Sequence, residues 1–320
     1  MSRSKTDYLI LAFKGIAMGA GEFIPGFSAA SAAFISGIYK ELITSLSNLR
    51  FSALKVLFKS GFKEFWSKIN GTFLLILFAA LLSGLVLVSF LTSYLFKTFP
   101  ISTWSFLFGV ILASIIYVFK DFVGWNAGTI IPLIIGIAIN VGLTFVTPFE
   151  MSRDSGLYMI LICAFLAAFA AYLPGVSVSL VLILLGQYEF IIKSISGFET
   201  TFILIYFGTS FLVLVIFSRI FSWLINKYES TSKAVLAGLM IGSLYELWPW
   251  KHTLLSHYSS QFEKILPIKQ ENVLPHIYFE KTAKDPQTLY AILLIITGFL
   301  VVYLLQNTFS KTKESEQTEF

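Results

Sequence analysis

Two copies of the pattern Pro-Gly-x-Ser are the residues of this sequence whose types and spacing could do chemistry. In each copy, proline and glycine interrupt an apolar helix and a second helix begins just after them. The N–H groups at the start of that second helix, its positive end and the serine hydroxyl together form an anion site. The alternative is a turn whose serine only caps the helix. The residues predicted to break the helices are Pro25 and Pro174, and those predicted to bind a phosphate or carboxylate are Gly26, Phe27, Ser28, Gly175, Val176 and Ser177.

Two charged residues could serve an anion site of this kind. Glu22 lies three residues before Pro25, and a carboxyl group at membrane depth is costly and usually functional or paired. We predict that Glu22 is a proton carrier, and a salt bridge with Lys14 is the alternative. Arg219, near the end of an apolar segment, is predicted to pair with the anion. Snorkelling of its guanidinium group to the membrane surface is the alternative.

The helices that carry these residues are too short to cross a bilayer. Residues 8–21 and 28–40 would each span about 20 Å, whereas a hydrocarbon core of about 30 Å needs about 20 residues. We therefore predict two re-entrant hairpins, 8–46 and 156–194. Irregular backbone at membrane depth is tolerated only where protein or a wet cavity surrounds it, and such breaks indicate the binding site of a transporter.

The composition indicates an all-α polytopic membrane protein. Of the 320 residues, 56% are hydrophobic and only 13% are charged, against about a quarter charged in soluble domains. The basic residues flank apolar segments and form no basic face, so the net charge of +5 does not indicate a nucleic-acid partner. The sequence lacks a Walker-type phosphate loop, its single cysteine permits no internal disulfide, and its three histidines lack metal-ligand spacing. We predict no metal and no cofactor.

The remaining apolar segments predict six full spans within a single membrane domain, 1–320. They lie at about 72–96, 102–120, 128–147, 200–225, 231–247 and 288–307. Basic and aromatic residues recur at helical spacing over 50–69, which predicts an amphipathic helix on the membrane surface, with a basic loop as the alternative. We expect a polar loop at 248–287 and a disordered, charged tail at 308–320.

The two halves of the chain, 8–147 and 155–307, are predicted to be inverted repeats. A shift of 149 residues superposes the two Pro-Gly-x-Ser patterns and also superposes Gly37 on Gly186 and Tyr39 on Tyr188. A shift of 129 aligns residues of the spans, and the difference of 20 matches the amphipathic segment that the second half lacks. Three crossings in each repeat, an odd number, place the second repeat upside down relative to the first.

The distribution of basic residues tests this topology. With both termini inside, fifteen Lys and Arg residues lie inside and eight lie outside. By the positive-inside rule, this bias predicts cytoplasmic termini. The loop at 248–287 then faces out.

The motifs together resemble those of the polyprenyl-phosphate transporter family over nearly the whole chain. The first family pattern is Met-Gly-x-x-Asp-x-x-Pro-Gly-x-Ser-Gly-Gly-Thr followed by Gly-Ile-Tyr, and it is similar to Met18-Gly19, Glu22, Pro25-Gly26-Phe27-Ser28 and Gly37-Ile38-Tyr39. The second, Leu-Pro-Gly-x-Ser, matches residues 173–177, and a Leu-Trp-Pro-Trp motif matches residues 247–250. Glu22 replaces the usual aspartate, and Ala29-Ala30-Ser31 replaces Gly-Gly-Thr.

The resemblance implies a lipid-phosphate flippase of the bacterial cytoplasmic membrane. The family is understood to return undecaprenyl phosphate from the outer to the inner leaflet for reuse in cell-envelope synthesis. It therefore implies undecaprenyl phosphate and membrane lipid as partners, with the phosphate between the two hairpin tips. The sequence leaves the oligomeric state open, a homodimer included.

Two other classes of function stay open as alternatives. Polyprenyl-pyrophosphate phosphatases also carry inverted hairpins, and Glu22-Phe23-Ile24-Pro25 is similar to their Glu-Phe-Leu-Pro element. However, Met18 and Val178 stand where those enzymes have a second glutamate and an arginine. Without that arginine the second tip lacks the charge that stabilises a departing phosphate, so we predict that the chain is not an enzyme. A small-anion channel is the third class.

Overall fold

The structure is a computed structural model that describes residues 3–22, 28–120, 125–146, 156–259 and 264–318. These residues form a helical bundle with one two-stranded sheet. The predicted, predominantly α-helical fold is therefore confirmed. The sheet lies within the segment that we expected to be a polar loop.

The first half of the chain forms helices of very different lengths. They are α1 (Lys5–Gly21), α2 (Ala29–Ile35), α3 (Tyr39–Ser47), α4 (Phe51–Ser60), α5 (Phe62–Lys68), α6 (Gly71–Thr98), α7 (Pro100–Lys120) and α8 (Ala127–Phe145). The expected helix at 28–40 is divided because Gly37 takes a left-handed φ of +72° between α2 and α3. The expected amphipathic helix at 50–69 is likewise two helices, which part at Gly61 with a φ of +88°.

The second half repeats the succession of α1, α2, α3, α6 and α7, without counterparts of α4 and α5 and with a two-stranded sheet added. Its elements are α9 (Leu157–Ala170), α10 (Val178–Leu184), α11 (Tyr188–Ser196), α12 (Thr200–Lys227), α13 (Glu229–Glu246), β1 (Lys251–Ser259), β2 (Lys264–Asn272), α14 (Pro275–Thr282) and α15 (Thr288–Thr318). Gly186 separates α10 from α11 with a φ of +66°, as Gly37 separates α2 from α3. The order of elements agrees with the alignment of the two halves, and their opposite orientation stays a prediction.

Helix length and apolarity support a location in the membrane. Within the described ranges, three helices are long and apolar enough to cross a bilayer: Pro100–Phe119, Ala127–Phe145 and Thr200–Lys227. Two bent pairs also qualify when each is taken together, α5 with α6 at 67° and α10 with α11 at 118°, which raises the number to five. A bend of 118° fits either a broken span or a re-entrant loop. The six full spans and the two re-entrant hairpins therefore stay predictions.

Helices α8 and α13 approach closely and form the wall behind the second Pro-Gly turn. A Cβ atom on Gly136 of α8 would lie 2.4 Å from the Val235 carbonyl oxygen. A Cβ atom on Gly238 of α13 would lie 2.2 Å from the Leu133 carbonyl oxygen. Since such distances exclude any side chain, the two backbones can meet only through glycine.

Ion pairs place the N-terminus and two helix junctions on one face of the bundle. Arg3 pairs with Glu41 of α3 at 2.5 Å, and Lys40 pairs with Glu229 at the start of α13 at 3.9 Å. Helix α13 has 18 residues and is therefore about 27 Å long. Its other end leads into β1 at the opposite face. We call these two surfaces the N-terminal face and the loop face.

The described residues of the segment 248–287, 248–259 and 264–287, form secondary structure that the sequence analysis did not predict. Strands β1 and β2 pair antiparallel, and α14 packs against β1. The indole N–H groups of Trp248 and Trp250 donate to the carbonyl oxygens of Val273 and Pro286, each at 2.8 Å. The two tryptophans therefore join the start of the segment to its end.

The C-terminal tail also differs from the expectation. We expected disorder at 308–320, whereas α15 continues as helix through Thr318. The segment is rich in Lys, Glu and Gln, which are good helix formers. Propensity therefore extends the helix beyond its apolar part.

The surroundings of Lys251 predict how the stability of the protein depends on pH. Its ammonium group lies 3.8 Å from the centroid of the Trp104 ring and donates to the carbonyl oxygen of Glu246. Burial lowers the pKa of Lys251 to about 8, against the opposing attraction of the Glu246 carboxylate. The folded state therefore binds fewer protons than the unfolded state between pH 8 and the usual lysine pKa of about 10.4. Stability rises with pH across that window.

We therefore expect the difference in melting temperature between the wild-type protein and the Lys251→Met variant to change in favour of the wild type by about 2–4 °C from about pH 8 to about pH 10. Thermal unfolding in a neutral detergent measures it. The exposed Lys284 supplies the control, since Lys284→Met should show no such trend. A difference that stays flat or falls with pH would contradict the prediction.

Candidate functional site

The first tip comprises residues 22–31, of which the structure describes residue 22 and residues 28–31. A carboxylate oxygen of Glu22, which follows α1, accepts a hydrogen bond of 2.9 Å from the N–H of Ala29, the first residue of α2. A carboxylate at this position satisfies an N–H group that lacks a partner within the helix, and it complements the helix dipole. The predicted residues that lie outside the described part of the chain are Pro25, Gly26 and Phe27.

Lys14 and Glu22 bond to opposite ends of α2. The Lys14 ammonium group donates at 2.8 Å to the carbonyl oxygen of Ser36, the residue that follows α2. Helix α2 has seven residues, so about 10 Å separates its ends. Each charge lies at the end of α2 that it stabilises, negative at the N-terminus and positive at the C-terminus. The described contacts therefore favour this arrangement over the alternative of a Lys14–Glu22 salt bridge.

Both predicted serines cap their helices. The hydroxyl oxygen of Ser28 accepts a bond of 3.2 Å from the N–H of Ser31, and that of Ser177 accepts one of 3.0 Å from the N–H of Leu180. Both serines are buried, with at most 1% of their surface exposed. Capping, the alternative that the sequence left open, is thus present at both positions, and contact with a phosphate stays a prediction.

The second tip, residues 172–177, meets the first. The predicted residues Pro174, Gly175 and Val176 form its turn and are all buried. The Gly175 N–H donates to the hydroxyl oxygen of Ser31 at 2.7 Å, and the Ser28 hydroxyl donates to the carbonyl oxygen of Leu173 at 3.2 Å. The structure therefore brings Ser28 beside the turn that contains Gly175.

Sequence reasoning missed Ser31, which links the two tips. Its hydroxyl also accepts from the Ser28 N–H at 3.3 Å, so that Ser28 and Ser31 form a capping box. The signal was present in the sequence as two serines three positions apart before an alanine-rich helix. Nothing local showed that the second serine would accept a bond from a residue 144 positions away.

Sequence reasoning also missed Asn140, which lies on α8 behind the second tip. Its side-chain N–H donates to the Gly175 carbonyl oxygen at 2.8 Å. Its other polar atom, Oδ1, has no hydrogen-bond partner among the described residues although the side chain is only 1% exposed. A single asparagine within an apolar helix was the available signal, because such a residue is expensive in a membrane and usually functional.

Arg219 lies in a different part of the molecule. Its side chain is exposed, and it lines a groove of about 500 Å³ together with Arg50 and Lys227. Ser28 and Ser177 are buried and do not line this groove. The structure therefore does not bring Arg219 to the tips, and its exposure fits the alternative of snorkelling to a surface.

The tip residues offer neutral donors in a buried setting. Hydroxyl groups of Ser28 and Ser31, the Gly175 N–H and the Asn140 amide converge there, and Glu22 supplies a carboxyl group. Oriented dipoles of this kind bind an anion more strongly in a low-dielectric interior than in water. In this conformation polar groups of the two tips form hydrogen bonds with one another. An anion that bound to these groups would have to replace those bonds.

Comparisons with known proteins relate the chain to a family of membrane transporters. A family model described as VCA0040-like, undecaprenyl phosphate translocase-like, matches residues 18–265. A Vibrio cholerae protein named polyprenyl-phosphate transporter is 33% identical over 306 residues, which cover 96% of this chain and 98% of that protein. A Staphylococcus aureus protein of the same name is 27% identical over 252 residues, 74% of this chain and 84% of that protein. No solved structure matches the chain.

The second tip generates a prediction about stability. Gly175 has a φ of +84°, and a Cβ atom there would lie 2.6 Å from the Leu239 carbonyl oxygen and 3.2 Å from Asn140 Nδ2. Gly37 has a similar φ of +72°, but a Cβ atom there would meet nothing within 4 Å. Both alanine variants suffer the left-handed conformation, about 1–2 kcal/mol, and only Gly175→Ala also disrupts packing.

We therefore expect Gly175→Ala to lower the melting temperature clearly more than Gly37→Ala does. Thermal unfolding of the two purified variants in the same detergent measures the difference. Equal losses would mean that the tip is not packed against α8 and α13 as described.

Proposed function

This chain belongs to the VCA0040-like, undecaprenyl phosphate translocase-like family, and from that premise we propose that it moves a polyprenyl phosphate between the two leaflets of a membrane. The names of the Vibrio cholerae and Staphylococcus aureus relatives support a polyprenyl phosphate as cargo. We propose undecaprenyl phosphate as the substrate and the bacterial cytoplasmic membrane as the location, with both termini in the cytoplasm. Recycling of the carrier lipid would be the purpose.

The single observation that carries the proposal is the contact between the two Pro-Gly-x-Ser tips. Ser31 accepts from the Gly175 N–H, and Ser28 donates to the Leu173 carbonyl oxygen. These bonds use the same groups that would hold a phosphate. We propose that the headgroup separates the tips and takes over their donors, while the prenyl tail stays in the lipid.

We propose that the conformation described here is a closed state of an alternating-access cycle. Ser28, Ser31 and Ser177 are at most 1% exposed, so a headgroup reaches them only after the tips separate. Rocking of one half of the chain against the other would expose the tips to each leaflet in turn. The inverted orientation of the two halves, which the alignment predicts, would make the two open states similar.

Glu22 is the group that we propose for proton coupling. Its carboxylate binds the start of α2 directly, through the Ala29 N–H. Protonation would weaken that bond, because a neutral carboxyl group is a poorer acceptor than a carboxylate. The protonation state of Glu22 would thereby be linked to the position of α2, and α2 carries Ser31, which accepts from the Gly175 N–H of the opposing tip.

Reconstitution tests the transport function. The purified protein is placed in liposomes that contain undecaprenyl phosphate, and the accessibility of the headgroup in the outer leaflet is followed over time. We expect movement that depends on protein, with a half-saturating lipid concentration about tenfold higher for Ser28→Ala, Ser31→Ala and Ser177→Ala if each hydroxyl contributes one hydrogen bond to the phosphate. Ser36→Ala is the matched control, since the Ser36 hydroxyl bonds only within the described α2 region, to Ala33.

Four outcomes would contradict the proposal. The absence of any lipid movement that depends on the protein would exclude a flippase. Release of phosphate from undecaprenyl pyrophosphate by the purified protein would favour the phosphatase class, and ion conductance without lipid would favour a channel. Transport that survives all three serine changes would move the phosphate site away from the tips.

A second prediction concerns Glu22. Glu22→Gln keeps a carbonyl oxygen that can accept from the Ala29 N–H but has no titratable proton. We expect it to fold and to retain some binding, while the response of its transport rate to an imposed pH gradient disappears. Glu64→Gln, a change at an exposed acid on α5, should leave the response intact. An unchanged response in Glu22→Gln would remove this residue from the coupling mechanism and leave the phosphate itself as the proton carrier.

A further inference from the structure

A basic groove opens on the N-terminal face, away from the tips. It is an open groove of about 500 Å³ that forms where the end of α3 and the residue before α4 meet the C-terminal part of α12. Three cations line it: Arg50, Arg219 and Lys227. In the described part of the chain none of these three side chains forms an ion pair, and the groove has no acidic residue in its lining. Three uncompensated positive charges around one concave site favour an anionic ligand.

The remaining lining residues suit a phosphate monoester. Ser47 and Ser222 supply hydroxyl groups and Asn226 supplies an amide, so that neutral donors stand beside the cations. The Asn226 side chain already donates to the Ser222 carbonyl oxygen at 2.8 Å, which holds it at the groove wall. A planar guanidinium group can bind two phosphate oxygens at once, and two such groups line this groove.

Aromatic residues beside the groove are typical of a membrane surface. Trp223 and Tyr228 are 52% and 46% exposed, and their rings lie 5.7 Å apart. The Lys227 ammonium group lies 5.1 Å from the Trp223 ring and 5.3 Å from the Tyr228 ring. Tryptophan and tyrosine concentrate where the hydrocarbon core meets the headgroups. The groove therefore has the aromatic surroundings that are typical of the headgroup layer.

The neighbouring surface supports the same assignment. Helix α4 starts immediately after Arg50, and the exposed side chains on α4 and α5 include Phe58 at 86% and Phe62 at 63%. The same two helices carry exposed lysines. An apolar and basic surface of this kind lies on an anionic membrane, and it continues up to the edge of the groove.

We infer that this basic groove binds the phosphate headgroup of a prenyl monophosphate lipid at the membrane surface, as a docking site separate from the tips. The inference rests on the proposed function for the identity of the lipid, whereas the charge and position of the groove do not depend on it. Arg219 takes part here, with Arg50 and Lys227, and not in a pocket between the two tips.

Photo-crosslinking tests the inference on the full-length protein in neutral detergent. The probe is farnesyl monophosphate with a diazirine in its chain, and digestion maps the crosslinks to peptides. We expect crosslinks on the peptides that contain Arg50 and Arg219, and the variant Arg50→Gln/Arg219→Gln/Lys227→Gln should raise the half-saturating probe concentration about tenfold or more. The matched control, which removes the same charge from α4 and α5, is Lys55→Gln/Lys59→Gln/Lys63→Gln. It should change this value by less than about twofold.

Other results of the crosslinking experiment would overturn the inference. If both triple variants weaken probe binding equally, the probe is held by general attraction to a basic surface and not by the groove, which would overturn the inference. Competition by inorganic phosphate as effective as that by unlabelled farnesyl monophosphate would make the groove a site for free anions and overturn the lipid assignment. If the groove variant fails to fold, the single variant Arg219→Gln should still shift the value by a few-fold, and no shift would overturn the inference.

The transport assay separates this inference from the proposed function. Suppose that the wild-type protein does not move lipid, but the probe crosslinks to its groove and does not crosslink to the groove of the triple variant. In that case only the proposed function fails. If transport is present and depends on the tip serines, but crosslinking at the groove is absent, only the groove inference fails.

Discussion

A helix that is interrupted inside a membrane leaves backbone N–H and C=O groups without partners, and lipid offers none. Each such group costs several kcal/mol unless protein satisfies it. Around the two tips the described contacts meet this requirement: the Glu22 carboxylate takes the Ala29 N–H, Ser31 takes the Gly175 N–H, and Asn140 donates to the Gly175 carbonyl oxygen. The first tip and α8 thus supply partners for backbone groups of the second tip, while Glu22 serves the first tip itself. The close approach of α8 and α13 follows from the same need, since it brings Asn140 to the turn.

The parts of this arrangement that the sequence predicts are those with local causes. Proline removes an N–H and glycine permits a left-handed φ, so the break at Pro174 and Gly175 could be placed from residue types alone. Long apolar segments gave the positions of the main helices to within a few residues. The order of elements in the two halves could be predicted because a shift of 149 residues superposes both turns and the glycine that follows each. These are regular features that do not depend on which residues meet across the fold.

The parts that the sequence did not predict depend on long-range contacts. Ser31 and Gly175 are 144 residues apart, and without a second sequence nothing links them. Arg219 was assigned to the tips by its charge, whereas its exposure and its neighbours Arg50 and Lys227 place it in the basic groove. The pairing of β1 with β2 was missed because their nine residues each mix apolar and polar types without regular alternation. The tryptophans at 248 and 250 close their segment onto residues far along the chain.

The contact between the tips also sets an energy scale for opening. Among the described residues, three side-chain hydrogen bonds join the first hairpin to the turn of the second tip: Ser28 to Leu173, Ser31 to Gly175, and Tyr39 to Tyr172. Each contributes about 1 kcal/mol net, so their sum of about 3 kcal/mol favours the closed form by about a hundredfold. That preference keeps the polar groups shielded from lipid for most of the time. In the transport cycle that we propose, it is also small enough for one well-bound phosphate to reverse, so the same bonds would both seal the empty carrier and let its cargo open it.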